Sequence, residues 1–244
     1  MQFLLKTCRW IVRNELVTVG LLLVLALGTW GFVSIADEVL EGESRDIDQQ
    51  ILLSMRMAGD PADPWGPSWF EEMARDVTAL GSVAALMIFT VTMAGYLYFA
   101  KQQWIAVFVL VAVLSGTVVS TVMKSGFDRP RPELVPHETR IYTRSFPSGH
   151  SAMASLVYLT LGAVMARAER GWKTKTFLMA VPVFLLLIVG ASRVYLGVHW
   201  PTDVVAGWAL GVSWAAAAWL VFRFLERRYR LPVELSSDKQ EGQK

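Results

Sequence analysis

Six long stretches of the chain contain no charged residue, and they constrain the fold more than any other feature. They cover residues 16–36, 77–100, 104–123, 151–166, 177–192 and 204–222. A helix needs about 20 mostly apolar residues to cross the hydrocarbon core of a bilayer. It also satisfies its own backbone hydrogen bonds there, whereas an open sheet leaves polar groups unpaired. The pattern therefore predicts an all-α integral membrane protein, a bundle of six transmembrane helices.

Composition supports this class and argues against others. The chain is 54% hydrophobic, above the level typical of soluble domains. Its net charge is only +2, and the cations form no basic face, so we do not expect nucleic acid as a partner. Cys8 is the single cysteine, which excludes an internal disulfide or a cysteine-based metal site but leaves the redox compartment open.

The distribution of charge predicts an orientation. Short cytoplasmic segments of membrane proteins are enriched in lysine and arginine. Three segments have this enrichment, and an even number of predicted crossings separates each from the next: Lys6, Arg9 and Arg13; Arg167, Arg170, Lys173 and Lys175; Arg223, Arg227, Arg228 and Arg230. The acid-rich segment 37–76 belongs on the other side. We therefore expect a multi-pass protein of the cell membrane, such as a bacterial inner membrane, with both termini cytoplasmic.

The chain is predicted to form one transmembrane domain over residues 1–231, and residues 232–244 a disordered cytoplasmic tail. The first apolar stretch has the alternative of being a cleaved signal peptide, because Ser34-Ile35-Ala36 resembles a cleavage site. Its 21 residues exceed the roughly 7–15 of a signal core, which favours a retained helix.

Within segment 37–76, residues 67–73 predict a short interfacial helix capped by Ser68. This helix could gate lipid access or cover the bundle, and we expect the second role.

Three polar clusters interrupt the apolar chain, and each lies at the end of a predicted helix. The helices, extended into these clusters, cover residues 149–166, 177–195 and 201–222. The alternation of crossings puts all three clusters on the outer face. Ser148 is a good N-cap, so Gly149 and His150 open a helix whose free N–H groups can bind phosphate oxygens.

His199 and Asp203 are spaced for a base and its orienting carboxylate. Pro201 suits the first position of a helix, which puts Asp203 at the third position, from where it reaches back toward the residues before the helix. Asp203 can accept the proton of one ring nitrogen of His199 and leave the other nitrogen free to attack.

The remaining ionisable residues of the clusters suit phosphoryl transfer. Lys124, Arg131 and Arg193 supply cations for the charge on the phosphoryl oxygens. His150 can protonate the leaving alkoxide and later activate water. Since this requires His150 charged and His199 neutral, we expect a bell-shaped pH profile.

The clusters together resemble the three-part signature of the type 2 phosphatidic acid phosphatase superfamily. They read Lys124 to Pro132 (KSGFDRPRP), Pro147 to His150 (PSGH) and Ser192 to Asp203 (SRVYLGVHWPTD). The resemblance implies metal-independent hydrolysis of a phosphate ester through a phosphohistidine, without a cofactor. It implies that His199 is the nucleophile, Asp203 its orienter and His150 the acid and base. The residues implied to bind phosphate are Lys124, Arg131, Ser148, Gly149 and Arg193.

Two residues near the signature have no assigned role. Arg129-Pro130 is a second Arg-Pro pair, but its spacing from Lys124 is too short, so Arg131 is favoured. His137 lies in a polar loop and is expected to be solvated.

The lipids implied by the family are phosphatidic acid, phosphatidylglycerol phosphate, undecaprenyl diphosphate and lipid A phosphate. We rank a prenyl diphosphate or a glycerolipid phosphate first. A phosphatase or phosphotransferase for soluble esters and a non-catalytic lipid-binding or transport protein are the alternatives. The oligomeric state stays open.

Overall fold

The computed structural model describes residues 2–132 and 144–229, and this part of the chain is predominantly helical. The helices are α1 (Gln2–Glu41), α2 (Arg45–Ser54), α3 (Ser68–Ala79), α4 (Val83–Phe99), α5 (Gln103–Gly126), α6 (Gly149–Ala168), α7 (Trp172–Tyr195) and α8 (Pro201–Tyr229). A two-stranded antiparallel hairpin of β1 (Arg56–Met57) and β2 (Asp60–Pro64) lies between α2 and α3. His137 and the tail predicted to be disordered lie outside the described residues.

The multi-pass membrane architecture is confirmed, with a correction at the second predicted span. Five of the described helices are long and apolar enough to cross a membrane, and α3 with α4 makes a sixth only if this pair counts as one span bent by 47°. The prediction of one continuous helix over residues 77–100 is wrong, since α3 ends at Ala79 and α4 begins at Val83. Ser82 adopts an extended conformation, and its hydroxyl accepts from the N–H of Ala85. A new helix therefore starts at Val83.

Segment 37–76 contains more secondary structure than the one short helix that the sequence predicts. It contains the end of α1, all of α2, the hairpin and most of α3. Ser68 does not cap α3; it is the first helical residue, and the extended Pro67 precedes it. Pro67 has a restricted φ and precedes the first turn of α3. Its carbonyl accepts a hydrogen bond from the N–H of Phe70.

Helix α6 is the centre of the bundle. It packs against α7 and α8, and α1 lies along the other side of α8, while α4 and α5 complete the group. Gly207 of α8 allows a close approach to α6, because a Cβ atom there would lie 2.6 Å from the carbonyl oxygen of Ser148. This contact brings the beginnings of α6 and α8 together at one end of the bundle.

Candidate active site

His199 and Asp203 occupy the short connection from α7 to α8. Helix α7 ends in a reversal at Gly197, whose positive φ of 71° suits glycine. The N–H groups of Val198 and His199 then donate to the carbonyl of Arg193. Pro201 begins α8, and Oδ2 of Asp203 accepts from the N–H of Trp200 at 3.0 Å, as a capping box predicts. The same oxygen lies 3.3 Å from Nδ1 of His199.

The partners of His199 define which ring nitrogen is free. Nε2 lies 3.2 Å from Nη1 of Arg131. Arginine has donors but no acceptor, so Nε2 must present its lone pair and Nδ1 must hold the proton that faces Asp203. The nitrogen that carries the lone pair thus lies beside a cation that can bind the oxygens of a phosphoryl group.

The environment of His199 favours its neutral form. Its side chain is fully buried, and this burial lowers the pKa of His199 to about 4, although the hydrogen bond and charge of Asp203 act in the opposite direction. The positive charges of Arg131 and Arg193 lower the pKa further. The imidazole is therefore neutral at neutral pH, with its single proton on Nδ1.

The start of α6 contributes the second element of the site. Ser148 caps the helix, as predicted: its hydroxyl accepts from the N–H of Ser151 at 3.4 Å. The Ser148 N–H donates to the carbonyl of Asp203, which ties the start of α6 to α8. Lys124 comes from the last turn of α5, and a Cβ atom on Gly149 would lie 3.7 Å from its Nζ. The lysine therefore lies over the N-terminus of α6.

His150 faces the cations from the first turn of α6. The charges of Lys124, Arg131, Arg193 and His199 all act on its ring. A Cβ atom on Gly81 would lie 3.3 Å from Cδ2 of His150, so the turn between α3 and α4 forms the other wall of the histidine site. The break between these helices, which the sequence did not predict, thus lies next to a predicted catalytic residue.

Among the described residues, Thr78 holds one side of the Arg193 side chain. Its Nη1 donates to the hydroxyl of Thr78 at 3.1 Å. Its Nε is buried, and within the part of the chain that the structure describes it has no hydrogen-bond partner. A buried charged donor without a partner is costly, and an oxyanion would satisfy it. Together with Lys124 and Arg131, this side chain makes the site strongly positive.

Sequence reasoning missed two groups that bind Asp203. Nη1 of Arg129 donates to Oδ1 of Asp203 at 2.6 Å, and the hydroxyl of Ser145 makes a short hydrogen bond with Oδ2. Arg129 is the second Arg-Pro arginine, whose spacing excluded it from the phosphate-binding pattern. Ser145 lies just before the second cluster, and no signal in the sequence marked it. Arg131, by contrast, lies beside His199.

A cavity of about 580 Å³ opens beside the site, between α4, α5 and α6. One end is polar and is lined by Lys124, Arg144, Gly149 and His150. The other end is apolar and is lined by residues that include Val83, Leu86, Met87, Val113 and Met153. Val83 is 72% exposed, so the apolar lining reaches the outer surface of the bundle.

Comparison with known proteins identifies relatives of this architecture. The sequence profile of the PAP2 superfamily matches residues 105–227. Phosphatidylglycerophosphatase B of Bacillus subtilis is 31% identical over 147 residues, which are 59% of this chain and 71% of the relative. An undecaprenyl-diphosphatase of Sulfolobus acidocaldarius is 35% identical over 109 residues, 43% of this chain and 47% of that protein.

A solved structure has the same fold. The crystal structure of a transmembrane PAP2 type phosphatidylglycerolphosphate phosphatase from Bacillus subtilis matches with a TM-score of 0.64 and 23% identity. The match covers 86% of this chain and 96% of that one, so the similarity extends well beyond the region of the three clusters.

Proposed function

This chain belongs to the PAP2 superfamily, and we propose that it removes phosphate from a membrane lipid through a covalent intermediate on His199. The substrates that we favour are an undecaprenyl-type prenyl diphosphate, phosphatidic acid and phosphatidylglycerol phosphate. The names of the relatives support this class, since they act on phosphatidylglycerol phosphate and undecaprenyl diphosphate. The observation that carries the proposal is the position of the buried His199, whose Nε2 lies 3.2 Å from Nη1 of Arg131, close to Lys124 and Arg193.

The first step transfers the phosphoryl group to the protein. Nε2 of His199 attacks phosphorus, and the bond between phosphorus and the leaving oxygen breaks. His150 donates its proton to that oxygen, which leaves as an alcohol or as a lipid monophosphate. Lys124, Arg131 and Arg193, with the N–H groups at the start of α6, bind the phosphoryl oxygens and stabilise their charge in the transition state.

The second step releases phosphate. His150 is now neutral and takes a proton from water, whose oxygen attacks the phosphorus of the phosphohistidine. The bond to Nε2 breaks, and the ring of His199 returns to the neutral form that its buried position favours. Asp203 keeps the proton on Nδ1 throughout, so the same nitrogen is free for the next cycle.

The cavity beside the site supports a lipid as the substrate. Its polar end suits a phosphate headgroup, and its apolar end suits the hydrocarbon chain of a lipid that stays in the membrane. His150 lies in the wall of this cavity, so a lipid bound there would have its leaving oxygen near the proposed acid. A soluble ester would leave the apolar end unused.

Phosphate release from a panel of substrates tests the proposal. The purified protein in detergent, with EDTA present, is given phosphatidic acid, phosphatidylglycerol phosphate, undecaprenyl diphosphate, a lipid A phosphate and a water-soluble phosphate ester. We expect release from at least one glycerolipid or prenyl substrate, and none from the His199→Ala variant. Activity abolished by EDTA, or retained in the variant, would contradict the mechanism. Preference for the soluble ester would contradict the substrate class.

We further propose that the site faces the outer side of the membrane, with both termini in the cytoplasm. The charge distribution supports this, because the acid-rich segment 37–76 folds at the same end of the bundle as the site. Arg56 of the hairpin, for example, donates to the carbonyl of Tyr195 at the end of α7. The lysine-rich and arginine-rich connections lie at the opposite ends of these helices.

A further inference from the structure

Helix α2 places a carboxylate in the interior next to the site. The side chain of Asp48 is completely buried, although it belongs to the segment that joins the first apolar helix to the hairpin. Its Oδ1 accepts from the N–H of Thr202 at 2.9 Å, and its Oδ2 accepts from the hydroxyl of Thr202 at 2.6 Å. Asp48 therefore holds the first turn of α8 at Thr202, the residue directly before Asp203.

Arg129 joins this carboxylate to Asp203. Its Nη2 donates to Oδ2 of Asp48 at 2.5 Å, and its Nη1 donates to Oδ1 of Asp203 at 2.6 Å. Nη1 also donates to the hydroxyl of Thr202, and the guanidinium carbon lies 5.7 Å from the centre of the Trp200 ring. The side chain is only 10% exposed, and both carboxylates are fully buried. The planar fork of arginine suits such a bridge, whereas lysine has a single nitrogen.

Stability alone is a poor explanation for this cluster. Three buried charges lose their hydration, and replacement of a buried ion pair by apolar groups is often neutral or stabilising. The cluster does have a geometric effect on the site. Arg129 occupies Oδ1 of Asp203, so Oδ2 is the oxygen left to face Nδ1 of His199, the N–H of Trp200 and the hydroxyl of Ser145.

We propose that Asp48 and Arg129 are positioning residues for the nucleophile: they hold Asp203 in the orientation that keeps the proton on Nδ1 of His199. This inference rests on the proposed function, since it concerns the same histidine. Its consequence is that α2, which contains none of the signature residues, is part of the catalytic unit. Variants of Asp48 or Arg129 should therefore lower kcat with little change in KM, because neither residue lies where substrate binds.

The charges of the two residues predict a second effect that general damage to the fold would not produce. The groups whose charge acts on His199 are Asp203 of α8, Arg131 of the segment after α5 and Arg193 of α7, and the titratable ring of His150 in α6 also interacts with it. Arg129 and Lys124 interact with Asp203. Removal of the Arg129 cation makes the potential at His199 more negative and therefore raises the pKa of His199. Removal of the Asp48 anion has the opposite effect. In the pH profile of kcat, the pH at which activity is lost on the acid side should therefore shift in opposite directions for the two variants.

The test compares single and double variants on the lipid phosphate that the native chain hydrolyses. For Asp48→Asn and Arg129→Gln we expect kcat to fall about tenfold or more and KM to change less than about threefold. The double variant should be no worse than the poorer single variant, because the two residues act as one unit. In pH profiles, the acid limb should move to higher pH for Arg129→Gln and to lower pH for Asp48→Asn. Asp46→Asn, an exposed acid on the same helix, is the matched control and should be unchanged.

A second pair of variants, at Thr202, keeps the test decisive if the charge variants do not fold. Thr202→Val removes the hydroxyl that contacts both Asp48 and Arg129, whereas Thr202→Ser keeps it. We expect Thr202→Val to lower kcat and Thr202→Ser to have a kcat close to that of the native chain. Native kcat in folded Asp48→Asn, Arg129→Gln or Thr202→Val protein would overturn the inference and leave the proposed function standing. A native chain inactive on every lipid phosphate would instead contradict the proposed function.

Discussion

Arg131 donates through Nη1 to Nε2 of His199 across 3.2 Å, so the proposed nucleophile and a proposed phosphate ligand are already in contact. A phosphoryl group placed at Nε2 would take over this donor. Arg131→Lys keeps the charge but loses the planar pair of donors, so we expect kcat to fall about 10²-fold or more, as for other transition-state donors. Steady-state phosphate release measures this effect. Arg45→Lys, at an exposed position of α2, is the control. A native rate for Arg131→Lys would mean that the contact serves packing rather than catalysis.

The pH dependence follows from the buried position of His199. Attack requires the neutral ring, and burial lowers the pKa of His199 to about 4. Activity should therefore persist as the pH falls from 7 to 5 and be lost as the pH falls through about 4. Because His150 must hold a proton when the leaving group departs, activity should also fall at high pH, which gives a bell-shaped profile. The measurement is kcat/KM from pH 3.5 to 9 at constant ionic strength. An acid limb near the ordinary histidine pKa of about 6.5 would contradict the assignment.

Gly81 provides the space that His150 and the core of α7 require. A Cβ atom there would lie 2.5 Å from Cγ1 of the buried Val189 and 3.3 Å from His150. Gly81→Ala should displace the turn, lower kcat about tenfold and destabilise the protein by about 1–3 kcal/mol, as overpacking does. Thermal unfolding and activity assays measure both effects.

Two further variants separate this crowding from a general effect of alanine. Val189→Ala, combined with Gly81→Ala, removes the nearest clash and should recover part of the stability. Gly95→Ala in α4 meets nothing within 4 Å, so it should leave activity unchanged and add about 0.5–1 kcal/mol of stability. If Gly81→Ala behaves like Gly95→Ala, the turn does not hold His150 in place.

Thr117 tests whether the cavity holds the hydrocarbon chain of the substrate. It lies in α5, exposed on the surface of the bundle and in the wall of the cavity. Thr117→Trp should lower kcat/KM for a long-chain lipid phosphate about tenfold, since it fills the apolar end, and change it little for a short-chain analogue. Val118→Trp is the control, because Val118 is 61% exposed but lies outside the cavity wall. Equal losses with both chain lengths would contradict this role of the cavity.

Cysteine labelling tests the proposed orientation. Cys8 is the only cysteine, so Cys8→Ser gives a background without thiols. In that background, Asp63→Cys places a thiol on the exposed hairpin. With the protein expressed in bacterial cells, a maleimide reagent that cannot cross the membrane should label Asp63→Cys in intact spheroplasts and should label native Cys8 only after lysis. The reverse result would put the site on the cytoplasmic side.

The features that the sequence predicted well depend on residues close together in the chain. Ser148 caps α6 through the N–H three residues later, and Asp203 reaches back to Trp200 at the same separation. Both follow from the unpaired N–H groups that every helix has at its start. The apolar spans likewise follow from composition within about 20 residues. The break at Ser82 was missed because no charge or proline interrupts that stretch, and a serine cap within an apolar run is a weak signal.

The membrane class, the starts of the helices that follow Ser148 and Trp200, and the chemistry of the three clusters can be predicted from the sequence, because they depend on local composition and capping. Tertiary packing instead sets which arginine faces His199 and which faces Asp203. It also brought Asp48 to Thr202, 154 residues away in the chain. These outcomes depend on how α1, α6 and α8 pack, since packing sets which charges lose water and which partners are within reach. The burial that lowers the pKa of His199 is a property of that packing and of no single motif.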